Sequence, residues 1–119
     1  MKAKAILLTI AMFPAGASAA DQVFRGRLAE NPNNMVACRD MDEQIEREHT
    51  VTISGNSVEY TAPGGIRLRF DSKGSGLYGT MEELGPERMR YTFSPSTGAF
   101  TLRENNIGCI WSGTLLRQP

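Results

Sequence analysis

The sequence predicts an all-β fold, namely a small eight-stranded antiparallel meander closed into an up-and-down barrel, with one short helix near residues 35–48. Apolar and polar residues alternate with a period of two along most of the chain after residue 21, as in half-buried strands. Short turn sequences separate these stretches and set registers in which apolar residues face each other. One early and one late cysteine could join the two ends of the domain. A two-sheet β-sandwich is the alternative architecture.

The first twenty residues have the pattern of a secretory signal peptide. A short basic start precedes an apolar run over residues 5–13, and small residues follow it, with cleavage expected after Ala19 or Ala20. The apolar run is too short to span a bilayer. The sequence therefore predicts a leader over residues 1–20 and one β-barrel-like domain over residues 21–119, located in the periplasm or secreted.

Eight strands are predicted, near residues 22–29, 49–54, 57–62, 66–71, 77–82, 87–94, 99–104 and 107–116. The turn at residues 55–56 sets Ile53 opposite Val58, so the turn chemistry and the apolar pattern agree. The same reasoning at a three-residue turn sets Tyr60 opposite Leu68. Successive strands joined in this way form an antiparallel meander.

The last hairpin is predicted to bury the second cysteine. A two-residue turn at residues 105–106 would set Leu102 opposite Cys109 and Phe100 opposite Trp111. Cys109 and the single tryptophan would then share the inward face of the last strand.

Cys38 and Cys109 are the two cysteines, and exported proteins usually pair such residues. Their bond would close a loop of about 72 residues, for which loop entropy gives roughly 4 kcal/mol. Small domains have about 5–15 kcal/mol in total, so this is a large share. No Cys-x-x-Cys motif is present, which favours a structural disulfide over a redox pair.

The predicted first and last strands share an aromatic-x-Gly-x-Leu pattern, in Phe24, Gly26 and Leu28 and again in Trp111, Gly113 and Leu115. Glycine inside a strand often marks a bend or a close backbone approach. Pairing of these two strands would remove both sheet edges, which favours the closed barrel.

Residues 31–50 depart from the strand pattern. Met41 and Ile45 lie four apart in a segment rich in acids, which predicts one short amphipathic helix ending near residue 48, with Cys38 near its start. This helix could cover one mouth of the barrel, tied there by the disulfide. An irregular long strand is the alternative.

The residue types that catalysis and metal binding require are scarce. His49 is the single histidine, which excludes a multi-histidine metal site and favours an ordinary surface or hydrogen-bonded role. No glycine-rich phosphate loop is present. Asp40, Asp42 and Glu43 lack the glycine turn and distal glutamate of a calcium loop, so a solvated acidic face is predicted. We therefore expect no enzymatic activity, no metal and no cofactor.

Arginine pairs are the candidate binding residues. Three predicted strands carry Arg-x-Arg, in Arg25 and Arg27, in Arg67 and Arg69, and in Arg88 and Arg90. Residues two apart in a strand share a face, and the opposite face of each strand is apolar, so the arginines should point outward. The guanidinium fork suits carboxylate and phosphate, which suggests an anionic partner.

Local neutralisation of these arginines is the alternative. The predicted register sets Glu59 opposite Arg69, whereas it sets Arg103 opposite Arg90 as a like-charge pair that should be mildly destabilising. After loss of the leader, ten arginines and Lys73 stand against thirteen acids, a net charge of minus two. This slightly acidic balance argues against nucleic acid as the partner.

The sequence thus predicts a small exported, non-enzymatic binding protein of the cell envelope or periplasm, monomeric and without a membrane span. Its arginine-rich strand face would bind an anionic partner or inhibit a secreted enzyme. A carrier of a small apolar ligand is the alternative.

The predicted plan resembles two groups of exported proteins. The barrel looks like those of the lipocalins, although Phe24-Arg25-Gly26 stands where lipocalins carry Gly-x-Trp. A disulfide that joins the beginning and end of a small β-domain is similar to the plan of bacterial periplasmic lysozyme inhibitors, whose Trp-Thr-Lys-Gly signature is missing. These resemblances concern the fold and transfer no residue roles.

Overall fold

The computed structural model describes residues 21–119, so the predicted signal peptide lies outside the described residues. The strands are β1 (Gln22–Arg27), β2 (Ala29–Glu30), β3 (Glu48–Ser54), β4 (Ser57–Thr61), β5 (Arg67–Gly74), β6 (Leu77–Gly79), β7 (Met89–Phe93), β8 (Ala99–Glu104), β9 (Cys109–Thr114) and β10 (Leu116–Arg117). A 3-10 helix, Val36–Cys38, and helix α1, Arg39–Ile45, lie between β2 and β3. The all-β prediction with one short helix is confirmed.

All ten strands belong to one curled antiparallel sheet, in the order β10-β1-β3-β4-β5-β6-β7-β8-β9-β2. The predicted count of eight is wrong, because the first and last strands are each broken in two, at Leu28 and at Leu115. Both leucines are buried, so each break turns an apolar side chain into the core. A single sheet also differs from the two-sheet sandwich.

The first and last strands meet in two short stretches, which we call the seam. Leu116 of β10 pairs with Arg25 of β1, and Trp111 of β9 pairs with Glu30 of β2. Both stretches follow one register, but the pairing is interrupted between them. The structure is therefore a curled sheet with an interrupted seam, and it differs from the predicted closed barrel of eight continuous strands.

Glycine allows the two backbones to approach at the seam. A Cβ atom on Gly113 would clash with the carbonyl oxygen of Arg27, and one on Gly26 would clash with that of Thr114. The close approach that the repeated glycine pattern predicted is therefore present, and only residues without a Cβ atom fit it.

The predicted hairpin registers are confirmed with one exception. Ile53 pairs with Val58, and Tyr60 pairs with Leu68, as expected. In the last hairpin, Leu102 faces Trp111 instead of Cys109.

The exception comes from the length of the last turn. It has four residues, 105–108, and it ends on Gly108 with φ at +100°, where the amide of Gly108 donates to the carbonyl of Glu104 at 3.1 Å. A shift of two residues preserves the in-and-out alternation, so Cys109 and Trp111 remain fully buried.

Aromatic rings fill the interior of the curled sheet. Phe24 contacts Phe93 edge-on with ring centroids 5.1 Å apart, and Tyr60 lies 5.3 Å from Phe100. Trp111, Phe93 and Phe100 have no solvent exposure. Since burial of each large ring contributes about 1.5–3 kcal/mol, this cluster is the principal source of hydrophobic stabilisation.

The connections divide between two ends of the molecule because successive strands run in opposite directions. We call one the helix end, formed by residues 31–47, 62–66, 80–88 and 105–108. The other, the turn end, consists of residues 55–56, 75–76 and 94–98. The helix end therefore holds nearly all the chain that is neither strand nor short turn.

Three contacts hold α1 against the sheet. The predicted disulfide is confirmed, with the Cα atoms of Cys38 and Cys109 5.7 Å apart. The indole Nε1 of Trp111 donates to Oδ1 of Asp42 at 2.8 Å. Ile45, the last helical residue, is buried. The helix thus covers the helix end of the sheet, as its sequence suggested.

Candidate functional site

A pocket of about 400 Å³ opens at the helix end, between α1, the 62–66 connection and the inner face of the sheet. Its lining residues are Met41, Gln44, Ile45, His49, Tyr60, Ala62, Pro63, Gly64, Ile66, Glu87, Met89, Tyr91 and Leu102. Most of these side chains are apolar or aromatic, with few polar groups among them. This composition is typical of a small-molecule site.

A buried His49–Tyr60 pair forms part of the pocket wall. His49 Nδ1 lies 2.7 Å from the Tyr60 hydroxyl, and Nε2 lies 2.5 Å from the carbonyl oxygen of Ile45. A carbonyl can only accept, so Nε2 carries the proton, and in the neutral ring Nδ1 accepts from the Tyr60 hydroxyl. The imidazole therefore joins the end of α1 to β4.

Burial favours the neutral forms of both residues in this pair. Desolvation lowers the pKa of His49, and the hydrogen bond to Ile45 opposes that change only in part. Desolvation likewise raises the pKa of Tyr60, with a further contribution from Tyr91. At neutral pH the pair is uncharged, so it serves as a polar but neutral part of the wall.

Tyr91 supplies the polar group that is free to meet a ligand. Tyr91 lines the pocket, and the hydrogen bonds found among residues 21–119 include none made by its hydroxyl. Burial raises the pKa of Tyr91, and the carboxylate of Glu87, which lines the same pocket, raises it further. Tyr91 and Glu87 thus give this side of the pocket a hydrogen-bonding and negatively charged character.

Strand alternation explains how these residues come together. His49, Val51 and Ile53 alternate along β3 toward the core side, and Tyr60 sits opposite Val51 on β4. The sequence predicted a surface or hydrogen-bonded role for His49, and the hydrogen-bonded role is the one present, in the wall of a pocket. The signal was available, because His49 continues the inward alternation of Val51 and Ile53.

The predicted arginine pairs do not form one surface. Arg25 and Arg27 lie on β1, whereas Arg67 and Arg69 lie on β5, with β3 and β4 between them. Arg90 lies on β7, again two strands away.

Arg88, the partner predicted for Arg90, lies outside β7 with φ at +57°. That position departs from the strand predicted over residues 87–94. The three pairs therefore occupy non-adjacent strands around a curled sheet, and together they present no single arginine face.

Several of these arginines have local counter-charges or hydrogen-bond acceptors. Arg88 Nε donates to Oε1 of Glu83 at 2.8 Å, and this contact is the main cause of the lowered pKa of Glu83, to which Arg90 also contributes. Glu83 therefore offsets the Arg90–Arg103 cross-strand pair, which the structure confirms.

The other two pairs have acids nearby but form no ion pair among residues 21–119. Arg69 lies opposite Glu59 in the strand register, as predicted, and Arg27 donates to the backbone carbonyl of Glu46 at 3.3 Å. These contacts agree with the alternative of local neutralisation for part of the set.

Arg25 and Arg67 have neither an ion pair among the described residues nor an acid opposite them in the strand register, whereas Arg27 lies opposite Glu48 and Arg69 opposite Glu59. They occupy one row across four adjacent strands, because Arg25 pairs with Thr50, Thr50 with Thr61 and Thr61 with Arg67. Strands are about 4.8 Å apart, so the two arginines stand roughly 14 Å apart at either side of two threonines. We call this the Arg–Thr row.

Of the acidic residues of α1, Asp42 has a structural partner, whereas Asp40 and Glu43 are exposed. Asp42 accepts from Trp111, and the nearby Asp42 carboxyl group is the largest cause of the raised pKa of Glu30. Within residues 21–119 no cluster of three or more His, Cys, Asp or Glu side chains could hold a metal ion. Among the helices of the same residues, none is both long and apolar enough to cross a membrane.

Comparison of the chain with protein-family models, curated proteins and solved structures finds no match.

Proposed function

We propose that this chain is an exported, non-enzymatic binding protein whose helix-end pocket holds a small molecule with an apolar body and a neutral or cationic polar group. The observation that supports this proposal is the pocket itself, with a volume of about 400 Å³ and a mainly apolar lining. Ligand pockets commonly measure about 300–1,000 Å³ and combine apolar walls with a few polar groups.

The apolar part of the ligand would contact the methionine and aliphatic side chains. Met41 comes from α1, Ile66 from the 62–66 connection and Met89 from β7, so three separate elements surround the space. Methionine adapts its shape to different ligands because its side chain is unbranched and polarisable.

The polar part of the ligand would contact Tyr91 and Glu87. No arginine or lysine occurs among the residues that line the pocket, whereas Glu87 carries a negative charge. An anionic ligand would therefore be repelled, and a hydrogen-bonding neutral group or a cation would be favoured over the tyrosine ring.

Export is supported by the confirmed disulfide between Cys38 and Cys109. Such bonds persist in oxidising compartments such as the periplasm and the extracellular medium. The signal-peptide pattern of residues 1–20 supports the same location.

Dye binding tests the pocket. Purified mature protein should raise the fluorescence of the neutral dye Nile red more than that of an anionic naphthalenesulfonate dye. Ala62→Phe fills the pocket and should abolish most of this signal, since Ala62 lines it. Ala99→Phe is the matched control, because Ala99 is exposed and lies outside the pocket. Equal dye binding by both variants would contradict the proposal, and an intact far-UV CD spectrum shows that each is folded.

The Arg–Thr row supports a second candidate function, binding of an anionic partner. Arg25 and Arg67 are exposed and without ion pairs among the described residues, with the hydroxyls of Thr50 and Thr61 between them. Planar guanidinium groups beside hydroxyls suit carboxylate or phosphate groups on an extended surface.

Charge reversal tests this second candidate. The double variant Arg25→Glu with Arg67→Glu should lose retention on a heparin or phosphocellulose matrix at low salt, because screening is weakest there. A variant with the same change in net charge, Arg47→Glu with Arg103→Glu, is the control. Equal losses in the two variants would show that net charge alone, and not the row, determines retention.

A further inference from the structure

Exposed apolar side chains are concentrated at one end of the molecule. Seven large apolar side chains are exposed among residues 21–119, and six of them lie on helix-end connections: Met35, Val36, Ile66, Met81, Leu84 and Ile107. Val36 is 75% exposed, and Ile66 is 67% exposed. The turn-end connections contain no large apolar residue. Single exposed apolar residues are ordinary, but grouping at one end marks an interaction surface.

The connections that carry these side chains are fastened to the sheet. Asn34 makes two hydrogen bonds to the backbone of Ile110, at 2.8 and 3.0 Å, close to Val36 in the chain. Asn106 donates to the carbonyl of Pro86 at 2.8 Å, and Asn105 donates to Glu83, so the turn that carries Ile107 is tied to the 80–88 connection. Presentation on fixed backbone reduces the ordering cost of binding.

The charge of the helix end identifies the kind of partner. Its connections contain seven acidic residues and three arginines, whereas the turn-end connections contain no charged residue. The excess of acids at the helix end therefore exceeds the net charge of minus two of the whole predicted mature chain. Charge complementarity favours a partner with a basic surface around an apolar centre.

We infer that the helix end docks a partner protein that presents apolar side chains within a basic patch. Val36 and Ile107 lie on neighbouring connections of this surface, because Asn34 is hydrogen-bonded to Ile110 and Cys38 is disulfide-bonded to Cys109. Neither residue lines the pocket. The docking surface therefore extends beyond the pocket, with which it shares Ile66, and its partner is distinct from the small molecule that the pocket would hold.

A membrane surface fits these charges less well. Bacterial and cytoplasmic-leaflet membranes carry anionic lipids, which attract basic segments and repel acidic ones. The acidic helix end therefore favours protein over lipid, and lipid adducts become an outcome of the test that would overturn the inference.

Site-specific photocrosslinking in the exporting cell is the first part of the test. A photoreactive amino acid is placed at position 36, at position 107 and, as turn-end control, at position 97, all exposed. If a protein docks at the helix end, one identified protein should be crosslinked at positions 36 and 107 but not at position 97. Adducts with lipid, or equal adducts at all three positions, would overturn it, and so would the absence of adducts at the helix end.

Reconstitution with the identified, purified partner is the second part. The Val36→Ser, Ile107→Ser variant should weaken binding at least about tenfold, and rising salt should weaken the wild-type complex. An unchanged affinity would overturn the inference. Nile red binding by the same variant should equal that of the wild type, so failure of docking and failure of the pocket are separately visible.

Discussion

The two ends of the molecule differ in the length of their connections, in charge and in exposed apolar side chains. The turn end joins strands through two, two and five residues, without charge and without large apolar side chains. The helix end uses connections of up to seventeen residues, and these carry acids, exposed apolar side chains and the 400 Å³ pocket. The turn-end connections therefore contain few residues beyond those that reverse the chain. The longer helix-end connections supply most of the exposed apolar side chains.

The same difference appears in how each end is held. The turn end has local hydrogen bonds, such as the Gly98 amide to the Ser94 carbonyl at 2.7 Å, and one bond to the last strands, from the Leu115 amide to the Gly98 carbonyl at 2.8 Å. The helix end is held by contacts between residues far apart in sequence, including the disulfide and the Trp111–Asp42 hydrogen bond, which span 71 and 69 positions. Removal of one long-range contact should therefore loosen the helix end and spare the turn end.

Loss of the disulfide should have the largest effect. Cys38→Ala with Cys109→Ala should lower the free energy of unfolding by about 2–5 kcal/mol, because the unfolded chain is no longer cross-linked and two buried side chains lose their bond. Urea unfolding measures this loss. In hydrogen exchange, amides of α1 should lose protection before amides of β3 and β4 near the 55–56 turn. Equal loss of protection at both ends would show that the disulfide holds the whole sheet and not the helix end in particular.

The seam should show an intermediate effect. Gly113→Ala forces a Cβ atom against the carbonyl oxygen of Arg27 and should cost about 1–3 kcal/mol, as overpacking does. Gly64→Ala is the matched control, since a Cβ atom there meets no atom within 4 Å. In thermal unfolding, Gly113→Ala should therefore melt at a lower temperature than Gly64→Ala. Equal melting temperatures would show that the seam tolerates a wider separation of its two strands.

Much of the sheet could be predicted because the facing of side chains and the pairing of neighbouring strands depend on residues close together in the sequence. Alternation fixed which side chains face inward, and two-residue turns such as 55–56 fixed the pairing of Ile53 with Val58. The repeated glycine pattern identified the seam, since only a close backbone approach requires glycine at Gly26 and Gly113. These features need no knowledge of distant contacts.

The remaining features depended on contacts that no local pattern records. The breaks at Leu28 and Leu115 arise where two distant strands meet, so the strand count could not be read from either strand alone. The last turn is a different case, because its contacts are local: the backbone and the side chain of Glu104 both accept from Gly108. A two-residue Asn-Asn turn matched the sequence equally well, so the local pattern was ambiguous there.

The candidate site was missed for the same reason. The pocket arises between α1, the 62–66 connection and the inner face of the sheet, three parts whose relative placement follows from long-range contacts. The arginine pairs were correctly placed on outward positions in β1 and β5, but the curvature of the sheet separates them. Alternation within a strand does not report how far apart two strands lie.

The smallest predicted effect is a pH dependence confined to the helix end. Burial lowers the pKa of His49 in the folded protein, whereas the unfolded chain has the ordinary value of about 6.5. Below pH 6.5, His49 binds a proton in the unfolded chain but stays neutral in the folded protein. The contribution of His49 to the free energy of unfolding is therefore fully present above about pH 7. It falls on acidification, by at most about 1.4 kcal/mol per pH unit for this one group.

A comparison with His49→Gln isolates this contribution. Glu30, whose pKa is raised in the folded state, changes stability in the opposite direction as the pH falls, but it does so equally in both proteins. The variant should be less stable at pH 7.5, because Tyr60 and the Ile45 carbonyl lose a well-placed partner. Its stability should then fall less steeply between pH 7 and 5.5 than that of the wild type.

In wild-type hydrogen exchange over the same range, α1 should lose protection while the 94–98 turn stays unchanged, since the imidazole joins α1 to β4 and has no contact with the turn end. Parallel pH profiles for the two proteins would mean that His49 titrates normally and that the helix end is not held through a neutral imidazole.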